Sequence, residues 1–205
     1  MVDHVREASR PDFLSKPSLR GRQVLLRPVT VDDVPALMPM FLDAEVSRLT
    51  GSHEGRVPDE GRIRTWYDSR GEQDDRLDLA VVELATGRVV GEAVLNEWDP
   101  GNESCSFRIC LVPGTYGSGL GTEATRLIVG YGFEELGLHR ISLEVYAFNP
   151  RARRAYERVG FVAEGVLREA LLWEGERVDA TVMSILAPEW FRHGGRPVAA
   201  APAPV

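Results

Sequence analysis

The segment LVPGTYGSGLGTEATRLIVGYGFEELG, Leu111 to Gly137, sets Gly114, Gly117, Gly119 and Gly121 directly ahead of a helix-like run. Each glycine costs backbone entropy on folding, so the run needs a reason. One reason is chemical. Small residues between a strand and a helix let successive N–H groups converge on one point, where the helix start adds partial positive charge, and together they cradle an anion such as a phosphate. A Cβ at Gly119 or Gly121 would stand between phosphate oxygens and those amides. The remaining readings are a bare structural turn and a glycine-rich helix start. No Lys follows the last glycine as in a P-loop, no acidic residue ends a following strand, and the preceding strand reads as part of an antiparallel meander, which disfavours a Rossmann unit.

Bulk composition narrows the remaining chemistry. The chain has 205 residues, 31 acids against 24 Lys and Arg, and a net charge of −7, so a general affinity for nucleic acid is not expected, whereas a cationic substrate is compatible. Four His and two Cys are scattered without ligand spacing, which predicts no metal site. Cys105 and Cys110 lie in one strand-like run at an odd spacing, on opposite faces, which argues against a disulfide. The N-terminus carries acids and prolines instead of a basic start and an apolar run, and no apolar stretch is long enough to cross a bilayer; the expectation is a cytoplasmic protein with no membrane partner.

The elements that must hold the glycine loop follow from periodicity. Residues 1–18 read as a flexible arm, 19–192 as one domain, and the Pro/Ala-rich 193–205 as a disordered tail. Arg22 to Val29 reads as a strand, and 30–43 as a helix with Thr30 as N-cap, Asp33 three residues on, and Pro39 expected to kink or shorten it. Residues 58–73 form a second helix candidate with Ile63, Trp66 and Tyr67 on one face. Alternation then predicts strands at 77–84, 88–98 and 104–112. A helix runs from the glycine loop to Gly137, with Ala124, Leu127, Ile128, Tyr131 and Leu136 on one face. A strand at 140–147, a helix at 149–160 opened by Asn149 and Pro150, and a hairpin over 161–186 complete the chain. The predicted class is α/β: a single mixed, mostly antiparallel sheet with helices on both faces.

Two motifs in this order resemble the GNAT superfamily of acetyl-CoA-dependent N-acyltransferases. YGSGLGTEA, Tyr116 to Ala124, is similar to its pyrophosphate-binding motif, Q/R-x-x-G-x-G/A, and NPRARRAYERVGF, Asn149 to Phe161, is similar to its second signature, a helix carrying a tyrosine and ending at Gly-Phe. With the closing hairpin, the likeness is greatest to the branch of ribosomal-protein N-terminal alanine acetyltransferases, and it spans about Val24 to Trp190. Tyr116 stands where the motif usually has Gln or Arg, which marks a subtype and removes one polar contact to the cofactor. The resemblance implies that amides of Tyr116, Gly117, Ser118, Gly119, Leu120, Gly121 and Thr122 hold the pyrophosphate of acetyl-CoA. It implies further that Cys110, Leu111 and Val112 bind the pantetheine arm through their backbone, and that Asn149, also the cap of its helix, touches that arm.

Acyl transfer to an amine needs a neutral amine, oxyanion stabilisation and a proton for the thiolate. The resemblance assigns the acid to Tyr156, whose other reading is a core aromatic; Ala152 replaces a serine that some relatives use for a related duty. Many relatives carry a glutamate at the position of Ser106, so here a different carboxylate or a water chain must serve as base. Glu92 ranks slightly ahead of Glu144, with Glu97 and Glu103 nearby; Asn96 is a candidate for positioning substrate, and His53 and His139 read as surface or capping residues. The expected activity is acetyl transfer from acetyl-CoA to a primary amine, either a protein N-terminus or a small cationic amine of the polyamine or aminoglycoside type. The alternative is a catalytically silent acyl-CoA-binding sensor or interaction module. Relatives commonly form homodimers, and the same is expected here.

Overall fold

A computed structural model of the chain describes residues 12–52 and 59–192. Eight strands form one sheet: β1 (Leu19–Arg20), β2 (Val24–Pro28), β3 (Leu77–Glu83), β4 (Val89–Asp99), β5 (Ser104–Leu111), β6 (Arg140–Tyr146), β7 (Val162–Trp173) and β8 (Glu176–Leu186), in the order β1-β2-β3-β4-β5-β6-β8-β7. All neighbours are antiparallel except β5 and β6. The mixed, mostly antiparallel sheet expected from the sequence is therefore the observed one.

Alternation along the strands builds a layer on each face. Leu77, Leu79 and Val81 of β3 point into the larger core with Leu26, Ile128 and Ile141, beneath α4 (Leu120–Glu134), α5 (Pro150–Val159) and α6 (Ala187–Arg192). Ala80 between them faces the second core, where Val34, Leu37 and Tyr67 come from α1 (Val34–Leu42) and α3 (Glu60–Asp68), and Val46 comes from α2 (Ala44–Thr50).

Several boundaries differ from the sequence reading for identifiable reasons. The predicted helix over 30–43 opens as a 3₁₀ turn, Val31–Asp33, in which the Thr30 N–H donates to Asp33 Oδ2 at 2.9 Å. Pro39 lies inside α1 without ending it. Asp43 ends that helix and starts α2, which the sequence reading omits, by accepting from the Val46 N–H at 2.8 Å, while Gly51 closes α2 in the left-handed region. The helix expected over 58–73 is shorter because Asp59 caps it and Ser69 ends it; α6 is an addition held by buried Trp190 against Phe133. The arm assigned to 1–18 needs correction in its described part: Phe13 is buried against Trp98, and the Lys16 Nζ donates to the carbonyls of Gln73 and Arg76. Burial of one aromatic ring draws this segment into the core. His53 and residues 193–205 lie outside the described residues.

Candidate active site

The single parallel pairing is short. β5 and β6 are joined only at Ser104↔Arg140, Cys105↔Ile141 and Ser106↔Ser142. Beyond Ser106 the strands part, so the facing backbone groups of Phe107–Leu111 and of Leu143–Tyr146 are left without a ladder in the middle of a sheet. Buried peptide groups rarely go unpaired. A ligand carrying amides of its own can satisfy them, and a cleft of about 1810 Å³ opens at this point.

Cys110, Leu111, Tyr116, Gly117, Gly119, Gly121, Thr122, Asn149 and Tyr156 all line that cleft. Val112, Ser118 and Leu120 do not, and Leu120 turns its side chain into the core. Gly117 and Gly119 adopt left-handed φ values of 88° and 92°, a region costly for residues with a Cβ, and Gly119 is the residue from which α4 starts. A Cβ on Gly121 would lie 3.2 Å from Leu111 Cδ1, so this glycine also lets the helix pack onto β5. Glu123, in the first turn of α4, accepts from the N–H groups of Arg22 and Gln23 at 2.6 and 2.8 Å and ties β2's approach to the same mouth.

Charge is distributed unevenly along the cleft. Arg22, Arg126, Arg151 and Arg158 line it together with the start of α4, and none of them is in an ion pair among the described residues. The Arg151 guanidinium lies 4.1 Å from the centre of the Tyr116 ring, linking α5 to the glycine loop across the opening. Toward the point where β5 and β6 meet, Glu97 and Glu144 line the wall with Asn96 and Ser106, whereas Glu92 lies four residues before Asn96 on β4, opposite Cys110 and paired with Arg108. Open N–H groups, a helix start and arginines suit a diphosphate ester, and the split between strands suits an extended amide-bearing arm. These features fit acetyl-CoA.

Tyr156 projects from α5 between Phe107 and Phe161, with ring centroids 6.1 and 5.9 Å away. No described residue is hydrogen-bonded to its hydroxyl, which opens to the cleft. Burial, then the neighbouring Cys110, pushes its pKa up, so the phenol stays protonated at neutral pH. Burial likewise drives the Cys110 thiol up to about 12, leaving it a neutral wall. Asn149 caps α5, accepting from the Ala152 N–H at 3.1 Å.

The two carboxylates singled out from the sequence differ. Glu92 is 5% exposed, accepts from the Tyr67 hydroxyl at 2.6 Å and meets Arg108 at 3.3 Å. Burial raises its pKa, against the opposing pull of Arg108 and Tyr67. Glu144 is exposed on β6, on the face opposite Ile141, Leu143 and Val145. His139 lies outside the cleft at the start of β6. Sequence reasoning missed the arginines, which come from positions too far apart in the chain to form a motif, and the pair Glu97–Ser106, whose hydroxyl donates to Glu97 Oε2 at 2.6 Å.

Comparison with known proteins agrees with this geometry. The family described as Acetyltransferase (GNAT) domain matches residues 23–162. "Probable N-acetyltransferase YjcK" of Bacillus subtilis is 28% identical over 177 residues, covering 83% of this chain and 98% of that protein. Spermidine N(1)-acetyltransferase of Vibrio cholerae is 34% identical over 111 residues, covering 54% of this chain and 64% of that one. A solved spermidine N-acetyltransferase from Vibrio cholerae, in complex with CoA and spermine, superposes with a TM-score of 0.75 at 25% identity, covering 82% of this chain and 98% of that structure. The split strand pair, the glycine-opened helix and the matched family together make this chain a member of the GNAT acetyltransferases, and an N-acetyltransferase by activity.

Proposed function

We propose that the protein transfers the acetyl group of acetyl-CoA to a small cationic amine of the polyamine type by direct attack on the thioester. The observation that carries this reading is the polarity of one continuous cleft, arginines and open amides at the α4 end, carboxylates where β5 and β6 meet. Amides from Tyr116 to Thr122 and the arginines hold the phosphates, and the backbone of Cys110 and Leu111, on the side of β5 that β6 leaves, holds the pantetheine arm. Tyr156 gives its proton to the departing sulfur. Glu97 and Glu144 supply the negative field that draws in an ammonium group. The Vibrio cholerae relatives, named for spermidine and one crystallised with spermine, support an amine of this class. We place its action in the cytoplasm and propose that two copies pair.

The test is thiol release on mixing acetyl-CoA with spermidine, spermine, an aminoglycoside and a peptide with an N-terminal alanine. Turnover of a polyamine is the expected result; preference for the peptide would move the acceptor to protein N-termini. Binding of acetyl-CoA without turnover of any amine would leave an acyl-CoA-binding module. Tyr156→Phe is expected to lower kcat by about 10²-fold while acetyl-CoA affinity, measured by calorimetry, stays within about twofold.

A further inference from the structure

Four non-glycine residues of the described chain have a left-handed φ: Glu97, Glu103, Glu169 and Glu174. Glu103 and Glu174 lie in turns between strands, and Glu169 lies in the irregularity of β7 between Leu167 and Leu171. Glu97 is the one of these that lines the cleft, at a φ of 55° where the β4–β5 register shifts between Asn96 and Asp99. Side chains alternate along a regular strand, so Glu97 ought to point away from Asn96 and from Asn96's partner, Ser106. The shifted register reverses this. Its carboxylate instead reaches Ser106 Oγ, whose hydroxyl donates to Oε2 at 2.6 Å, leaving Oε1 with no protein partner among the described residues. Ser106 is itself the last residue of β5 paired to β6, and the next residue, Phe107, packs against Tyr156. An uncommon backbone conformation thus holds a carboxylate at the point where the strands part, beside the residue that contacts the acid. Such conformations gather at functional sites because the surrounding structure must impose them.

Resting on the acetyltransferase reading above, we propose that Glu97 is the general base of the reaction, with Ser106 as its positioning residue. Oε1 takes one proton from the bound ammonium and passes it to solvent. The nitrogen lone pair so freed attacks the thioester carbonyl, the C–N bond forms, the C–S bond breaks, and the sulfur takes the phenolic proton of Tyr156. The second proton lost by nitrogen restores that phenol through solvent, so one amide, one thiol and one proton are the net products. Glu92 is bound on one side by Tyr67 and on the other by Arg108, and Glu144 is held by no described side chain, so neither combines a free oxygen with a fixed position.

The experiment compares Glu97→Gln, Ser106→Ala, Glu92→Gln and Glu144→Gln across pH 6 to 10 with acetyl-CoA and the best amine of the panel. Glu97→Gln is expected to lower kcat about 10²-fold at pH 7, with acetyl-CoA affinity and melting temperature unchanged. At pH 10, where the neutral share of the amine is several-hundred-fold larger than at pH 7 without any base, the deficit should shrink below about tenfold. Ser106→Ala should lose about tenfold with the same recovery at high pH, the behaviour of a group that only holds the base. Wild-type kcat in Glu97→Gln, or a pH-rescued loss in Glu92→Gln or Glu144→Gln instead, overturns the assignment. A wild type that binds acetyl-CoA but acetylates no amine overturns the transferase reading itself, and this base with it.

Discussion

Glu92 illustrates how one residue's neighbours fix its work. A carboxylate on a strand reads from the sequence as a candidate base, but here it is sealed under α3 with the Tyr67 hydroxyl and Arg108 as partners. Burial raises the Tyr67 pKa, and the adjacent Glu92 charge adds to that, so the phenol is a donor at all ordinary pH. Glu92→Ala would leave that donor and Arg108 facing a void. The expected loss is about 1–3 kcal/mol of folding stability, read from urea unfolding, since a buried hydroxyl left unpaired carries its full desolvation cost. Tyr67→Phe with Glu92→Ala should lose less than the sum of the single changes. Additive losses would mean that the two side chains do not support one another.

At the scale of elements, the site depends on strands that are held firmly on one side and let go on the other. β6 keeps a full ladder with β8 from Arg140 to Tyr146 while its pairing with β5 stops at Ser142. The outer hairpin is clamped by Arg140, which donates to Glu164 Oε1 at 2.7 Å, and by the Ser184 hydroxyl on the same oxygen at 2.7 Å. Arg140 first, then Ser184, holds the Glu164 pKa down to about 2. A carboxylate depressed in the folded state stabilises above its unfolded value of about 4.3, and that contribution fades as pH falls from there toward about 2. The melting-temperature gap between wild type and Glu164→Gln should accordingly be present at pH 6 and close between pH 4 and 2. A gap independent of pH would mean that the bidentate contact does not stabilise the hairpin. The sequence made β7 and β8 legible as strands, since 161–173 and 177–186 alternate around a turn. It did not show the Arg140–Glu164 bridge, because partners 24 positions apart are joined only by the register of three strands.

Over the whole molecule, the sheet ends on β7, a 12-residue edge strand exposing Val162, Val166, Leu167 and Leu172. Long apolar edges invite pairing with another chain. Association through this edge is expected to give light-scattering mass of twice the chain at micromolar concentration. Val166→Lys with Leu167→Glu should return it to the single-chain mass, while dimers that survive both changes would place the contact elsewhere. Within the cleft, arginines line the wall beside the start of α4 and glutamates line it where β5 and β6 part, although the chain as a whole is acidic.

Local chemistry was enough to locate much of this. The alternation of Leu77, Leu79 and Val81, the Asn149–Pro150 helix start and the glycines before Leu120 each depend on residues close in the chain, so strands, caps and the glycine-opened start of α4 could be read in order. Weaker punctuation was missed at Asp43, which begins a helix of seven residues, and at α6, which is six residues long and is held by packing of Trp190. What the sequence alone determined was thus the sheet, its longer helices and the glycine-rich loop that opens α4. Which carboxylate stands free, which is sealed, and how a backbone twist at Glu97 brings its side chain to Ser106 were decided by strand register and burial. Those properties exist only after distant segments have packed, because a side chain's pKa and reach are set by what surrounds it in space.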